Sequence, residues 1–255
     1  MAFKKDSIVG TMIFTIILCL SCSFMITGTA EILKERKLAK KRDELKRNVL
    51  IAADVELAGQ DFRQVFDASV TPILVELDTG KVDTSTNALD FDDRMAAINP
   101  ETSMKPKKDT AKIKTRANVA RVFKVFDEQG QLHAVVMPIY GKGLWSMIYG
   151  FVALKPDYNT IENVVFYEHG ETPGIGDFIE DPEWTNKLKG KQLFDENGHV
   201  KFKIVKGGAK PGDLHGVDAV SGATMTGRGV QRAIEFWFGN EGFETFLQKL
   251  KASEV

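Results

Sequence analysis

The sequence predicts an α+β fold built on an antiparallel sheet, with flanking helices and one N-terminal helix able to cross a membrane. Three observations predict it. Residues 8–30 carry no charge, strand-length apolar runs separated by turn signals fill 119–205, and helical patterns gather after them at the C-terminal end. Strands grouped ahead of terminal helices, rather than alternating with them, argue for α+β over an alternating α/β sheet.

The apolar run Ile8–Ala30 would span roughly 34 Å as a helix, enough to cross a bilayer with slight tilt. A cleaved signal peptide is the rival, with Lys4 and Lys5 as its basic region and Gly28-Thr29-Ala30 as its cleavage site. The run is longer than a usual signal core, and a helical pattern continues at once, so a retained anchor is expected. Glu31–Ala53 continues that helix through Leu33, Leu38, Leu45 and Val49 without Gly or Pro. The expected divisions are therefore 1–30 as tip and membrane helix, 31–55 as a membrane-proximal helix, and 56–255 as a soluble domain.

Ala58–Glu76 holds a second amphipathic stretch, with Phe62, Val65, Phe66, Ile73 and Leu74. Asp78–Lys114 is polar and contains Pro100 and Pro106, which predicts a long loop or irregular insertion on the surface. Strands are expected at Val119–Phe126 and Leu132–Ile139, joined by an Asp127–Gly130 hairpin turn, and at Met147–Leu154, Val164–Glu168 and Val200–Val205. Helices follow at about Gly229–Phe238 and Gly242–Leu250.

Composition excludes several classes. With 34 basic and 35 acidic residues there is no electrostatic footprint for nucleic acid. The two cysteines, Cys19 and Cys22, lie inside the apolar run, so the soluble part cannot hold a disulfide framework, thiolate zinc or an iron–sulfur cluster. The histidines His133, His169, His199 and His215 form no i, i+3 or i, i+4 pair, and no metal site is expected. Nucleotide-loop, nucleophile-elbow and zinc-protease signatures are absent, so no catalytic residue is assigned.

Three segments remain. Asp218-Ala219-Val220-Ser221-Gly222-Ala223-Thr224 runs into Met225-Thr226-Gly227-Arg228. Its small residues permit close approach to the backbone, and they open a helix whose first N–H groups suit a phosphate. Thr224 offers a hydroxyl and Thr226 a cap; a turn and cap that hold nothing is the alternative. In the second segment, Gly141–Gly150, a glycine turn would present Leu144 and Trp145 as a wall for a planar ring, or else bury the indole. The third, Tyr167–Gly176, bends at Pro173 and Gly174, leaving Glu171 and Thr172 as polar contacts or as parts of a structural turn.

The sequence D-x-x-[ST]-G-A-T, complete at Asp218–Thr224, resembles the flavinylation motif of the FMN-binding domains in sodium-translocating NADH:quinone oxidoreductases and their Rnf-type relatives. Asp78-Thr79-Gly80, Pro138-Ile139-Tyr140-Gly141 and Phe236-Trp237-Phe238-Gly239 extend the resemblance to the NqrC family of the former over essentially the whole chain. It implies FMN joined covalently through its phosphate to the Thr224 hydroxyl by a separate flavin transferase. Ser221, Gly222, Ala223, Leu144, Trp145, Glu171, Thr172, Gly174 and Ile175 are the further implied contacts, and Lys206, Lys210 and Arg228 are candidate countercharges. Ile175 stands where the family commonly has leucine.

The resemblance further implies an electron carrier within a membrane complex that passes electrons from NADH to quinone and exports sodium, with the other subunits as partners. It places the domain on the periplasmic side of the inner membrane. Eight basic residues in Glu31–Leu50, against Lys4 and Lys5 before the span, would favour the cytoplasm on charge count alone. The corresponding subunit of an Rnf-type ferredoxin:NAD oxidoreductase and an unmodified, non-redox membrane-anchored binding or assembly protein are the alternatives.

Overall fold

The structure, a computed structural model, describes residues 7–83 and 87–252; Lys4 and Lys5 lie outside them. The chain divides into two compact units, Met1–Leu45 and Lys46–Val255. This division falls between the expected boundaries at 30 and 55. One uninterrupted helix, α1 (Ile8–Ala52), contains both the apolar run and its charged continuation. An 18-residue window of α1 has mean hydropathy 2.3 and none of it is buried, so the helix is long and apolar enough to cross a membrane. Cys19 and Cys22 are exposed on it as free thiols.

In the second unit the end of α1 is buried at Val49, Leu50 and Ala52. Side chains from the sheet satisfy carbonyls where the helix stops: Asn163 Nδ2 donates to Ile51 O at 2.9 Å, and His133 Nε2 lies 2.8 Å from Ala53 O. The stretch expected to be amphipathic over Ala58–Glu76 divides into α2 (Phe62–Ser69) and β1 (Val70–Glu76). Asp61 caps α2 by accepting the Arg63 N–H. The division has a local cause, because Val70 and Thr71 are β-branched and Pro72 cannot continue a helix. Strand β2 (Lys81–Asp83) pairs with Leu74–Glu76, and among the described residues none pairs with Pro72 on that side of β1, where proline is tolerated.

The polar insertion expected to be irregular carries β2, α3 (Asp93–Ile98) and β3 (Ser103–Met104), the last paired with β4 (Arg116–Ala117). Asp92 caps α3, and Asp93 forms an ion pair with Arg121 at 2.9 Å. There follows a meander of β5 (Val119–Phe126), β6 (Leu132–Lys142), β7 (Met147–Leu154) and β8 (Ile161–Glu168). The six-stranded sheet runs β2-β1-β5-β6-β7-β8, antiparallel throughout. The hairpin turn between β5 and β6 is held by Asp127 Oδ1, which accepts the N–H groups of Gln129 and Gln131, while Gly130 takes φ +75°.

After the short α4 (Pro182–Thr185) come β9 (Lys203–Val205) and β10 (Gly216–Asp218), which pair in parallel outside the main sheet. The run Val200–Val205 becomes a strand only at Lys203, because Lys201 and Phe202 donate their N–H groups to Leu193 O. Helices α5 (Thr224–Trp237) and α6 (Glu244–Lys251) close the fold.

Alternation along β5 buries both sheet faces. Ala120 and Val122 join the core that includes Val230, Ile234, Trp237 and Phe246 of α5 and α6. Phe123 points the other way, meeting Phe66 of α2 edge-on at 6.2 Å and Phe151 at 6.0 Å. Trp237 is buried without an orphaned donor, since its indole N–H is given to Tyr140 O at 2.7 Å.

Candidate functional site

The α5 end of the sheet gathers the three segments singled out by sequence. Helix α5 begins at Thr224, five residues before the expected start at Gly229. Gly227 and Gly229 weaken the helical pattern, each costing about 1 kcal/mol relative to alanine, but packing requires one of them. A Cβ on Gly229 would lie 2.7 Å from Lys142 O and 2.9 Å from the Gly143 Cα. The helix is therefore pressed directly against the turn between β6 and β7.

Ahead of α5, Ala223 occupies the cap position and has no side-chain oxygen to offer, so the first-turn N–H groups have no side-chain cap. Gly222 takes φ +83°, a left-handed conformation, with open space where its Cβ would be. Thr224 is half-buried in the first turn, flanked by exposed Met225 and exposed Ser221 and Gly222. Thr226 is not the cap expected from sequence. It is buried, and its hydroxyl donates to Glu171 Oε2 at 2.6 Å.

Glu171 is the hub of the site rather than an open polar contact. Only 4% exposed, it accepts the Leu144 N–H at Oε2 (3.0 Å) and the Trp145 and Ser146 N–H groups at Oε1 (3.0 and 3.3 Å), besides the Thr226 hydroxyl. Burial pushes its carboxyl pKa up, but the bonds from Thr226, Trp145, Leu144 and Ser146 outweigh that and hold it below the usual carboxylate range. Glycine is required on both sides of this carboxylate. A Cβ on Gly143 would meet Glu171 Oε1 at 2.6 Å, and one on Gly176 would meet the Glu171 Cβ at 2.8 Å. The Glu171 N–H is donated to His169 Nδ1 at 3.2 Å.

The turn that Glu171 holds is tight, with Gly143 N–H donating to Ser146 O at 2.8 Å and Lys142 Nζ to Trp145 O at 2.7 Å. It leaves Leu144 43% and Trp145 66% exposed, and Trp145 gives its indole N–H to Thr172 Oγ1 at 3.0 Å. Thr172 O in turn accepts the N–H groups of Ile175 and Gly176. Gly174 takes φ +75°, and Ile175 is 50% exposed. An open cleft of about 800 Å³ joins this bend to the threonine segment, with Gly174, Ile175, Phe178, Val220, Ser221 and Gly222 in its lining.

The expected site residues thus fall into two linked groups. Leu144, Trp145, Glu171 and Thr172 meet through hydrogen bonds, while Gly174, Ile175, Ser221 and Gly222 face one cleft. Ala223 is buried behind the helix start. Lys206 and Lys210 are exposed on a loop tied to the motif by the Ala209 N–H, which donates to Asp218 Oδ1 at 2.8 Å; Arg228 is exposed on α5. Sequence reasoning missed the pairing of Thr226 with Glu171 and the close approach at Gly143 and Gly229. The visible signal was a carboxylate set among glycines. Among the described residues no cluster of three or more metal-ligating side chains occurs.

In chemical terms, an uncapped helix start accepts an anion, a neighbouring threonine hydroxyl accepts a phosphoryl group, and exposed apolar side chains offer a flat ring a place to lie. The FMN-binding domain family matches residues 143–239. Over 253 residues the chain is 41% identical to the Na(+)-translocating NADH-quinone reductase C subunit of Haemophilus ducreyi, covering 98% of this chain and 97% of that one. The C subunit of the same reductase from Vibrio alginolyticus is 40% identical over the full length of both chains. The crystal structure of Shewanella oneidensis NqrC superposes with a TM-score of 0.81 at 71% identity, over 84% of this chain and 99% of that one. The crystal structure of the Parabacteroides distasonis C subunit gives a TM-score of 0.66 at 26% identity, over 84% and 96%.

Proposed function

Because the chain belongs to the NqrC family, the C subunits of Na(+)-translocating NADH-quinone reductases, we propose that it carries FMN esterified through the phosphate to Thr224 and serves as a membrane-anchored electron carrier. One observation carries the reading: Thr224 stands at the uncapped start of α5, next to the cleft that joins Ser221 and Gly222 to the Gly174–Ile175 bend. FMN supplies one- and two-electron redox chemistry when bound.

The residues of this chain do the rest. The first-turn N–H groups of α5 receive the phosphate. Trp145, Leu144 and Ile175 border the ring with apolar surface, and Glu171 fixes the turn that presents two of them. No acid, base or nucleophile is needed in a carrier, and Thr224 tethers without reacting during turnover. Covalent attachment keeps the cofactor where no flavin pool could replace it. Ser221, Gly222, Ala223, Thr172 and Gly174 shape the attachment site, and Lys206 supplies positive charge on the adjoining loop.

Helix α1 anchors the chain in the inner membrane with the FMN domain periplasmic. A flavin transferase loads the domain during maturation. In the assembled complex the FMN-loaded chain would stand on the electron path from NADH toward quinone, with sodium export left to other subunits.

Denaturing electrophoresis under ultraviolet light tests the attachment. Full-length protein from a host with the transferase should give a fluorescent band, and Thr224→Ala should give none. A colourless wild-type band, or fluorescence that survives Thr224→Ala, refutes it. An alkaline phosphatase fusion at the C-terminus tests the side: inactivity would put the domain in the cytoplasm.

A further inference from the structure

We infer that the stretch of α1 immediately beyond its apolar run is a docking collar for anionic phospholipid headgroups. The inference rests on the anchor reading of Ile8–Ala30 and is independent of the flavin. Residues 34–42 hold six basic side chains, Lys34, Arg36, Lys37, Lys40, Lys41 and Arg42, against one acidic side chain, Glu35. Glu31 precedes them, and Asp43 and Glu44 follow.

The ion pairs within this stretch are too exposed to neutralise it. Lys34–Glu31 spans 3.3 Å with side chains 59% and 74% exposed, and Lys40–Glu44 spans 3.7 Å. Arg36, Lys37 and Lys41 make no ion pair among the described residues.

Helix geometry places Lys34 at headgroup depth and brings Arg36 and Lys37 within side-chain reach of it, with Lys40, Lys41 and Arg42 one to two turns further out. Lys34 lies about 6 Å and Lys37 about 10 Å past Ala30 along the axis. The headgroup layer of one leaflet is about 5–7 Å deep, and long basic stems reach back toward it. Lys34, Lys37 and Lys41 follow i, i+3, i+7 spacing on one helix face, and Arg36 and Lys40 lie on another, so the charge surrounds the helix.

Apolar side chains are interleaved with the basic ones. Ile32 is 80%, Leu33 50% and Leu38 46% exposed. A merely solvated charged face has no use for them, whereas a segment seated at the acyl–headgroup boundary covers both kinds of side chain. The chemistry that fits is a phosphodiester headgroup with net negative charge. Each basic group near such a surface strengthens binding about fivefold.

The experiment uses the full-length, flavin-loaded protein in detergent, titrated with phosphatidylglycerol or phosphatidylcholine and read by native mass spectrometry. Wild type should bind phosphatidylglycerol at least fivefold more tightly than phosphatidylcholine, with the preference falling as salt rises. K34Q/R36Q/K37Q/K41Q should bring the two lipids within about twofold. K105Q/K107Q/K108Q/K112Q, which removes equal charge from an exposed segment elsewhere, should leave the preference intact. Far-ultraviolet circular dichroism checks that each variant keeps its helix. Equal binding of both lipids by wild type overturns the collar, as does equal loss in the two variants. If wild type shows no preference but the collar variant fails to co-purify with other membrane proteins of the complex, the collar is overturned and the charges serve a protein contact instead. Release of wild type from membranes by alkaline carbonate overturns the inference together with the anchor, while a fluorescent denatured band would leave the flavin reading standing.

Discussion

Replacing Glu171 is the sharpest test of how the site is held together. In Glu171→Ala the N–H groups of Leu144, Trp145 and Ser146 and the Thr226 hydroxyl lose their shared acceptor. An unsatisfied buried donor costs about 1–3 kcal/mol. Water can reach the half-exposed turn but not Thr226, so the net loss should be about 3 kcal/mol. For a unit of this size that lowers the melting temperature by about 6–12 °C. Glu171→Gln is milder. Its oxygen can keep Trp145 and Ser146 and its amide can donate to a rotated Thr226 hydroxyl, but the Leu144 N–H then faces another donor. The expected cost is about 1.5 kcal/mol, or about 3–6 °C.

The assay is thermal unfolding of the full-length protein followed by tryptophan fluorescence, repeated across pH. The folded pKa of Glu171 lies below its ordinary value of 4.5. Its contribution is therefore fully present above about pH 4.5 and is lost as pH falls through the lower folded value. The gap between wild type and Glu171→Gln should stay constant from neutral pH down to that point and close below it. An alanine variant that melts within about 1 °C of wild type would refute the role of the carboxylate. So would a gap that widens on acidification.

Two further outcomes are expected. Gly229→Ala should destabilise by about 2–4 kcal/mol despite the better helix former, because its Cβ would meet the backbone at Lys142 O and the Gly143 Cα, neither of which can swing aside; a urea midpoint at or above that of wild type would contradict this. Arg94 chelates Glu168 at 3.0 and 2.7 Å and stacks 3.8 Å from the Tyr149 ring centre. Arg94→Ala should cost only about 1 kcal/mol because the pair is half-exposed, and a double-mutant cycle with Glu168→Ala measures the coupling.

Elements whose signal is local were legible in the sequence. The boundaries of β5 and β7 follow from apolar runs bounded by turn residues, and α1 follows from an uncharged run with a helical continuation. Strand β1 was hidden because Phe62, Val65 and Phe66 set a helical rhythm that Val70 and Pro72 then break. The early start of α5 was hidden because Gly227 and Gly229 resemble a loop until the turn they accommodate is known. At the site, the glycine-rich segments singled out Leu144, Trp145 and Glu171, which the structure brings together, while Thr224 was singled out by the resemblance. No spacing rule could show that Glu171 and Thr226, 55 residues apart, share a hydrogen bond, because that contact exists only once the sheet has aligned them.

The distance along the chain between those partners also sets an order of events during biosynthesis. The turn at Leu144–Ser146 joins β6 to β7 and Glu171 follows β8, the partner of β7, so the two can meet as soon as both have left the ribosome. Thr226 emerges 55 residues later, about 3–11 s at ordinary elongation rates. Until then the carboxylate lacks one of its four donors, and the segment bearing Thr224 has no surface to lie on. The threonine thus gains its final surroundings among the last steps of folding, so a tailoring enzyme that recognises the finished geometry would find its target only on a completed chain.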